Sequence, residues 1–275
     1  NCMNLIANEW MKIFKKASTY VMLGLLVVII TGVAGLSKYI ELNEEQTAES
    51  SSDWKQVLTE ETEMLKTERA ASSGDRDFYD RHIAMNEYRL DHDIPPVNEL
   101  DAWSFVNEMV PLINFIAIIT ITVAAGIVAS EFSTGTIKLL LIRPVSRVKI
   151  LLSKYVTIVL FSIGIVLFTF AVSWIVGALL FGFGDAGPYL SYANGEVIER
   201  TQLGNALFTY GISSIGLFML TTMAFMISAA FRNSSLAIGI SIFLLLMGSN
   251  ITQILALKFE WAKYSLFANT NLMNY

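Results

Sequence analysis

Charged residues are scarce in this chain. Asp, Glu, Lys and Arg make up only 16% of its 275 residues, whereas 54% of the residues are hydrophobic. Soluble domains carry about 25% charged residues. The deficit is too large for a single soluble core, and it indicates an integral membrane protein.

The residues that carry most catalytic and metal chemistry are also nearly absent. Cys2 is the only cysteine, which excludes an internal disulfide, a zinc site and a thiol pair. The two histidines, His82 and His92, are ten residues apart and match no metal-binding template. The sequence contains neither an HExxH motif nor a GxxxxGK[ST] phosphate loop. We therefore expect no catalytic, metal-binding or cofactor-binding residue, and we expect that the chain is not an enzyme by itself.

Long apolar runs that contain almost no charge are what the sequence has instead. Five runs are long enough to cross a hydrocarbon layer of about 30 Å; they are Thr19–Leu36, Phe105–Ala129, Tyr155–Phe181, Leu207–Phe231 and Leu236–Leu257. We predict an all-α polytopic membrane protein with at least five transmembrane helices. We also expect a sixth span beyond Tyr275, because five spans leave the two ends of the chain on opposite sides.

Acidic and basic residues are separated along the chain. Residues 38–104 hold seventeen acids and seven bases, whereas the remaining residues hold seven acids and twelve bases. Basic residues concentrate on the cytoplasmic side of membrane proteins. We therefore place the N-terminus in the cytoplasm and residues 38–104 outside the cell. Helical spacing of apolar residues on both sides of Ser72–Asp75 predicts a helical hairpin in this insert, which is either a cap that contacts substrate or a solvated insert.

These patterns divide the chain into four parts. Residues 1–18 form an amphipathic helix at the membrane interface, or else a simple extension of the first span. Residues 19–37 are the first span and residues 38–104 are the extracellular helical insert. Residues 105–275 are the transmembrane core, with a cytoplasmic coupling segment at 130–154.

The coupling segment is the long basic stretch between two apolar runs. Glu131–Tyr155 contains five basic residues and one acid. Gly135 is predicted to end the helix before it, and Pro144 limits a short amphipathic helix from Thr136 to Ile142. Ser146 is the expected N-cap of the helix that enters the third span.

This stretch resembles a known family. The sequence GIVASEFSTGTIKLLLIRPVSRVKILLSKY resembles the segment after the second span of ABC-type-2 exporter permeases, especially the bacitracin and lantibiotic export branch that confers self-immunity. Five features carry the resemblance; they are Glu131, Gly135–Thr136, Pro144, Arg147 and Lys154. The opening MNLIANEWMKIFKK is similar to the interfacial helix of the same family.

The resemblance implies the function and partners of the chain. It implies a membrane-spanning permease subunit that exports a peptide antibiotic or another hydrophobic or amphipathic substrate. Its partners are two copies of an ABC ATPase subunit, which bind ATP and Mg, a second permease copy or a homologous permease, and membrane lipids; no nucleic acid is expected. The implied location is the plasma membrane of a bacterium.

The resemblance also assigns roles to residues. The residues implied to couple the permease to the ATPase are Glu131, Thr136, Ile137, Lys138, Leu140, Leu141, Arg143 and Arg147. Ile137, Leu140 and Leu141 supply the apolar docking face, unless they pack on the chain's own spans. Glu131 is expected to pair with a base of the interfacial helix, Lys12 or Lys15. The bases equally fit plain positive-inside topology.

The transport path of a dimer is implied to run between the second and fifth spans. The apolar residues that we assign to it are Phe115, Ile119, Ile242 and Leu246, although ordinary packing explains each of them as well. The alternative function is a membrane sensor or scaffold that transports nothing and reads an extracellular ligand through the acidic insert. A secondary transporter is disfavoured, because such proteins use ionisable residues within their spans.

Overall fold

The computed structural model describes residues 2–47, 54–71, 76–95, 100–133, 135, 146–183, 187–193, 195–231 and 233–256. Within these residues the chain forms nine helices and two strands. In chain order the elements are α1 (Cys2–Phe14), α2 (Ala17–Thr47), α3 (Trp54–Ala71), α4 (Arg76–His92), α5 (Ala102–Glu108), α6 (Leu112–Ser133), α7 (Arg147–Leu180), β1 (Tyr189–Ala193), β2 (Glu196–Arg200), α8 (Gln202–Ala230) and α9 (Ser234–Ala256).

Four of these helices are long and apolar enough to cross a membrane. The apolar stretches are Ala17–Asn43, Leu112–Phe132, Arg147–Leu180 and Gln202–Ala230. Helix α9 corresponds to the fifth predicted span, and the apolar stretch within its described residues is Ser234–Gly248, which is about 22 Å long. That length is shorter than a hydrocarbon layer of about 30 Å. With its four long apolar helices, the protein is an all-α polytopic membrane protein, as the sequence predicts.

The chain divides into two compact units. The first comprises Asn1–Ile29, Met109–Val172 and Phe208–Tyr275. Helix α6 is the most enclosed of the long apolar helices in it and packs along α9. Hydroxyl groups join α6 to α8: Ser228 Oγ accepts the backbone N–H groups of Val128 and Ala129 at 3.2 and 3.1 Å. Hydrogen bonds of this kind hold membrane helices together where no hydrophobic driving force acts between them.

The second unit comprises Ile30–Glu108 and Ser173–Leu207. Its α3 and α4 pack as the predicted helical hairpin. The ion pairs Lys66–Glu87 (3.1 Å) and Arg69–Asp80 (2.7 Å) join the two helices. Strands β1 and β2 form an antiparallel hairpin, in which Tyr189 faces Arg200 and Ala193 faces Glu196. The hydroxyl of Tyr88 on α4 donates to Glu199 on β2 at 3.2 Å.

The prediction of one continuous span from Phe105 to Ala129 is wrong. Helix α5 ends at Glu108, and α6 begins at Leu112. Pro111 is the cause, because it has no N–H to donate and its ring clashes with the carbonyl four residues earlier. The backbone turns here through short-range hydrogen bonds, in which Leu112 N donates to Met109 O and Ile113 N donates to Val110 O.

Two further boundaries differ from the sequence prediction. Helix α2 continues to Thr47, eleven residues past the predicted end of the first span at Leu36, because no glycine or proline follows Gly35 in this stretch. The stretch between the third and fourth predicted spans, for which no strand was predicted, contains the β1–β2 hairpin. The Asn194–Gly195 pair between the strands is typical of two-residue hairpin turns, so the sequence did carry this signal.

Gly177 on α7 is a point of close approach in the second unit. A Cβ added there would lie 3.1 Å from the carbonyl oxygen of Ala102 and 3.2 Å from the ring of Phe105. Both residues are fully buried. We predict that Gly177→Ala lowers the free energy of unfolding by about 1–3 kcal/mol through overpacking, measured by detergent-titrated unfolding followed by tryptophan fluorescence.

The matched control is Gly211→Ala on α8, where an added Cβ meets no atom within 4 Å. This variant is expected to be neutral or more stable by up to about 1 kcal/mol, because alanine is the better helix former. Equal effects of the two substitutions would contradict the close-approach argument.

Candidate functional site: an ionic cluster at the ends of the coupling segment

One face of helix α1 packs against the rest of the first unit. Leu5, Glu9 and Ile13 recur every four residues, so they lie on one side of the helix. Glu9 and Ile13 are buried, whereas Met3, Ala7 and Met11 are exposed. Phe14 packs edge-on against Phe161 of α7 at a ring distance of 6.0 Å. The helix is therefore attached by its apolar stripe, and an acid stands in the middle of that stripe.

Glu9 is accommodated by an ionic cluster of four residues, which we define as Glu9, Lys12, Glu131 and Lys154. Lys154 Nζ lies 2.7 Å from Glu9 Oε2 and 2.7 Å from Glu131 Oε1. Lys12 Nζ lies 2.8 Å from Glu9 Oε1 and 3.2 Å from Glu131 Oε1. The two acids and two bases balance in charge. The cluster joins α1, the end of α6 and the beginning of α7.

Lys154 is the most deeply buried member, since its side chain is only 3% exposed, whereas that of Lys12 is 55% exposed. The ammonium of Lys154 also donates to the backbone carbonyl of Ile127 at 3.4 Å. Its three donors therefore each have an acceptor, as a buried charge requires. Lys12 closes the cluster on its exposed side.

The pKa values of the two members on α1 respond to this environment. Burial by itself raises the pKa of Glu9, but the charges and hydrogen bonds of Lys154 and Lys12 outweigh burial and lower the pKa below the ordinary 4.5. Burial lowers the pKa of Lys12, but its contacts with Glu9 and Glu131 raise the pKa above the ordinary 10.5. Both side chains are therefore ionised at neutral pH.

The cluster brings the two ends of the coupling segment together. Glu131 and Lys154 are 23 residues apart and in direct contact. Helix α6 ends just after Glu131, at Ser133, and Gly135 takes a left-handed φ of +73° with its N–H donated to Phe132 O. Only glycine adopts such a φ without strain. The predicted helix end at this glycine is confirmed, and α7 begins at Arg147, directly after the predicted cap Ser146.

The structure describes some of the predicted site residues. The expected pairing of Glu131 with a base of α1 is confirmed, with Lys12 as the partner. Arg147 is exposed at the start of α7. The remaining coupling residues lie outside the described residues; they are Thr136, Ile137, Lys138, Leu140, Leu141 and Arg143. Their docking role stays a prediction.

The residues assigned to the transport path differ in exposure. Ile119 on α6 is buried at 4% exposure, and Phe115 is half-buried. On α9, Ile242 is half-buried and Leu246 is exposed. Ile119 therefore packs inside the first unit of the monomer, whereas Leu246 is accessible from outside it. Their role in transport stays a prediction.

Sequence reasoning missed Glu9 and the double contact of Lys154. An acid in an amphipathic helix is ordinarily assigned to the polar face. The signal was its spacing, because Glu9 falls midway between two apolar residues of one stripe, Leu5 and Ile13. Such a buried acid calls for a cation from another part of the chain.

Comparison with known proteins places the chain in a family. Residues 80–275 match the family described as "Protein of unknown function (DUF2705)". The chain belongs to this family. It is 45% identical over 276 residues to "Uncharacterized protein YhcI" of Bacillus subtilis (strain 168), which covers 99% of this chain and 87% of that protein. No solved structure matches.

A second relative is named as a membrane protein. It is "Uncharacterized membrane protein YdbK" of Bacillus subtilis (strain 168), which is 34% identical over 158 residues. The match covers 57% of this chain and 60% of that protein. Together with the four long apolar helices, this relative supports a multi-pass membrane protein.

Removing the central ammonium of the ionic cluster should be costly. Lys154→Met leaves Glu9 and Glu131 buried with only Lys12 to neutralise them. Breaking a buried ion pair on one side costs about 3–5 kcal/mol. We predict a loss of this size in the free energy of unfolding, measured by detergent-titrated unfolding.

The control is Lys149→Met, an exposed lysine on the same helix, which should change stability by no more than about 0.5 kcal/mol. Adding Glu131→Gln to Lys154→Met removes one unpaired acid, so the double variant should recover part of the loss. A double variant whose loss is the sum of the two single losses would contradict a shared cluster.

The lowered pKa of Glu9 predicts an acid-side loss of stability. Between the folded pKa and 4.5 the unfolded chain binds more protons than the folded chain. The stabilisation is therefore complete above about pH 4.5, and it is lost as the pH falls through the folded pKa. Thermal unfolding in detergent should show this loss in the wild type and a weaker one in Glu9→Gln. The exposed-acid control Glu68→Gln should behave like the wild type.

Proposed function

We propose that this DUF2705 protein is the membrane-spanning permease subunit of an ATP-binding-cassette exporter. It moves a peptide antibiotic or another hydrophobic or amphipathic substrate out of the membrane or the cell. A separate subunit binds and hydrolyses ATP, since the printed sequence has no phosphate loop. The proposal starts from the resemblance of residues 126–155 to ABC-type-2 permeases.

One observation carries the proposal: the ionic cluster fastens both ends of the coupling segment to each other and to α1. A segment that binds the ATPase subunit must transmit its displacement to the membrane helices. Glu131 ends the second span, Lys154 starts the third, and both contact Glu9 or Lys12 of the interfacial helix. A pull on the segment is therefore applied to three helices at once.

The mechanism follows from this attachment. In the proposal the helix Thr136–Ile142 lies in a cleft of the ATPase subunit. When two ATPase subunits close on ATP, they displace this helix. A ligand shifts a conformational equilibrium only through contacts that differ between the two states. Those differing contacts are assigned to the docked segment, while the cluster stays intact and moves as one body with α1, α6 and α7.

The membrane orientation is part of the proposal. The lysines of α1 and the basic coupling segment lie on the cytoplasmic side, according to the positive-inside rule. The α3–α4 hairpin and the β1–β2 hairpin then lie outside the cell. Two copies of the chain, or this chain and a homologous permease, enclose the path lined by Phe115, Ile119, Ile242 and Leu246.

Aspartate in the docking face tests the proposal. Leu140→Asp combined with Leu141→Asp should abolish co-purification of the ATPase subunit, because burying two carboxylates in an apolar cleft is unfavourable. Substrate-stimulated ATP hydrolysis by the complex should fall to the level of the isolated ATPase. The readouts are the stoichiometry of the purified complex and the rate of phosphate release.

The matched control places two aspartates on exposed apolar residues of α3, with Val57→Asp and Met64→Asp. This variant should retain the ATPase subunit and its stimulation. An unchanged complex in the Leu140/Leu141 variant would overturn the proposal. The proposal would also be overturned if a Ser146→Cys variant in a Cys2→Ser background were labelled only by a thiol reagent that is applied outside the cell. A chain that binds a ligand through residues 38–104 and recruits no ATPase would instead be a sensor or scaffold.

A further inference from the structure

A groove of about 690 Å³ lies beside the ionic cluster in the first unit. Its walls come from three places: the α1–α2 corner, the second half of α6 and the beginning of α9. The volume lies within the range of about 300–1,000 Å³ that is typical of ligand sites. The residues that carry the argument below are Lys12, Lys15, Lys16, Met22, Val123 and Ile238.

One end of this groove is polar. Lys12, Lys15 and Lys16 line it together with the hydroxyl-bearing residues Ser18 and Ser234. Lys15, Lys16 and Ser18 lie at or next to the start of α2, and Ser234 begins α9, where the apolar stretches start. Lys12 lies near the end of α1. Ser130 and Glu131 line the groove from α6, where that helix reaches its end. The ends of three membrane helices therefore meet at the polar end.

The other end of the groove is apolar. Met22 lies six residues into the membrane from Lys16, which is about 9 Å along a helix. Val123 lies eight residues back from Glu131, or about 12 Å, and Ile238 lies one turn past Ser234. All three side chains are half-buried and line the groove. The groove thus runs from charged and hydroxyl-bearing residues near the ends of the helices to apolar residues further along the same helices.

The corner that carries Lys15 and Lys16 is rigidly held. Lys15 N donates to Met11 O at 2.9 Å, and Thr19 N donates to Lys16 O at 3.1 Å. The buried hydroxyl of Thr19 donates to Ile13 O at 2.6 Å and so bridges α1 and α2. The backbone of the two lysines is therefore fixed at the mouth of the groove before any ligand arrives.

The charge at the mouth is positive. Five ionisable residues line the groove; three are lysines, and the acids are Glu9 and Glu131. Both acids are already neutralised by Lys154 and Lys12 within the ionic cluster. Neither Lys15 nor Lys16 has an ion pair with any of the residues that the structure describes, and both side chains are exposed. Two cations are thus left for a ligand.

We propose that this groove binds one anionic glycerophospholipid, with its phosphate between Lys15 and Lys16 and the upper part of an acyl chain against Met22, Val123 and Ile238. The combination of two available ammonium groups, neighbouring hydroxyls and an apolar floor about 9–12 Å deeper fits a lipid that has a charged head and an apolar tail. This site is independent of the proposed coupling to an ATPase.

The test uses the full chain purified in mild detergent and exchanged into nanodiscs that contain phosphatidylglycerol and phosphatidylcholine in equal amounts. After the protein is released from the nanodiscs, native mass spectrometry counts the lipids that remain bound to it. The wild type should retain one phosphatidylglycerol in preference to phosphatidylcholine. Lys15→Gln with Lys16→Gln should weaken this retention by about tenfold or more, because each lysine near a lipid phosphate contributes about fivefold before salt screening.

Two matched pairs separate this groove from general lipid contact. Lys149→Gln removes an exposed lysine elsewhere, so it should retain the lipid. Ile238→Trp fills the apolar floor and should release the lipid, whereas Ile254→Trp makes the same change at a site on α9 that is 68% exposed and should not. Each variant is accepted only if it elutes as a single species with unchanged helical circular dichroism.

Several results would overturn the proposal. One is equal retention of phosphatidylglycerol and phosphatidylcholine by the wild type. Another is full retention by Ile238→Trp. Displacement of the lipid by millimolar inorganic phosphate would identify a free-anion site. Dimerisation that shields the groove from solvent in the absence of lipid would identify a second copy of the chain as its occupant.

Discussion

A single ammonium group between two carboxylates determines how the first unit is assembled. Lys154 lies 2.7 Å from both Glu9 and Glu131 and is almost completely shielded from solvent. An isolated charge in such a place is strongly unfavourable, and it is stable only when opposite charges and hydrogen bonds surround it. The position of α1, the end of α6 and the beginning of α7 are therefore mutually dependent, since moving one of them leaves a buried charge unpaired.

This dependence has a geometric consequence for the coupling segment. Its two ends are fixed relative to each other, because Glu131 and Lys154 are in direct contact at 2.7 Å and Lys154 also donates to Ile127 O. A displacement of either end is therefore resisted by ion pairs that α1, α6 and α7 share. The proposed lipid groove lies beside the ionic cluster, and its lysines Lys15 and Lys16 are not members of that cluster.

Much of this arrangement follows from the sequence, and the rest does not. Apolar runs predict the membrane helices, Gly135 predicts the end of α6, and Glu131 was expected to meet a base of α1. The contact between Lys154 and Glu9 joins residues 145 positions apart, and no local pattern encodes which acid a distant lysine will meet. Pro111 divides a run whose hydropathy is continuous. The β1–β2 hairpin was foreseeable from Asn194–Gly195, because that pair favours tight turns.

The contact between Tyr88 and Glu199 in the second unit has a consequence for biosynthesis. These residues are 111 positions apart, and the stretch between them contains α6 and α7. A ribosome adds about 5–20 residues per second. Synthesis of β2 therefore follows synthesis of the α3–α4 hairpin by on the order of ten seconds, while two membrane helices are inserted. The ion pairs between α3 and α4 can form throughout this interval, so the α3–α4 hairpin can keep its shape until β1 and β2 have been synthesised.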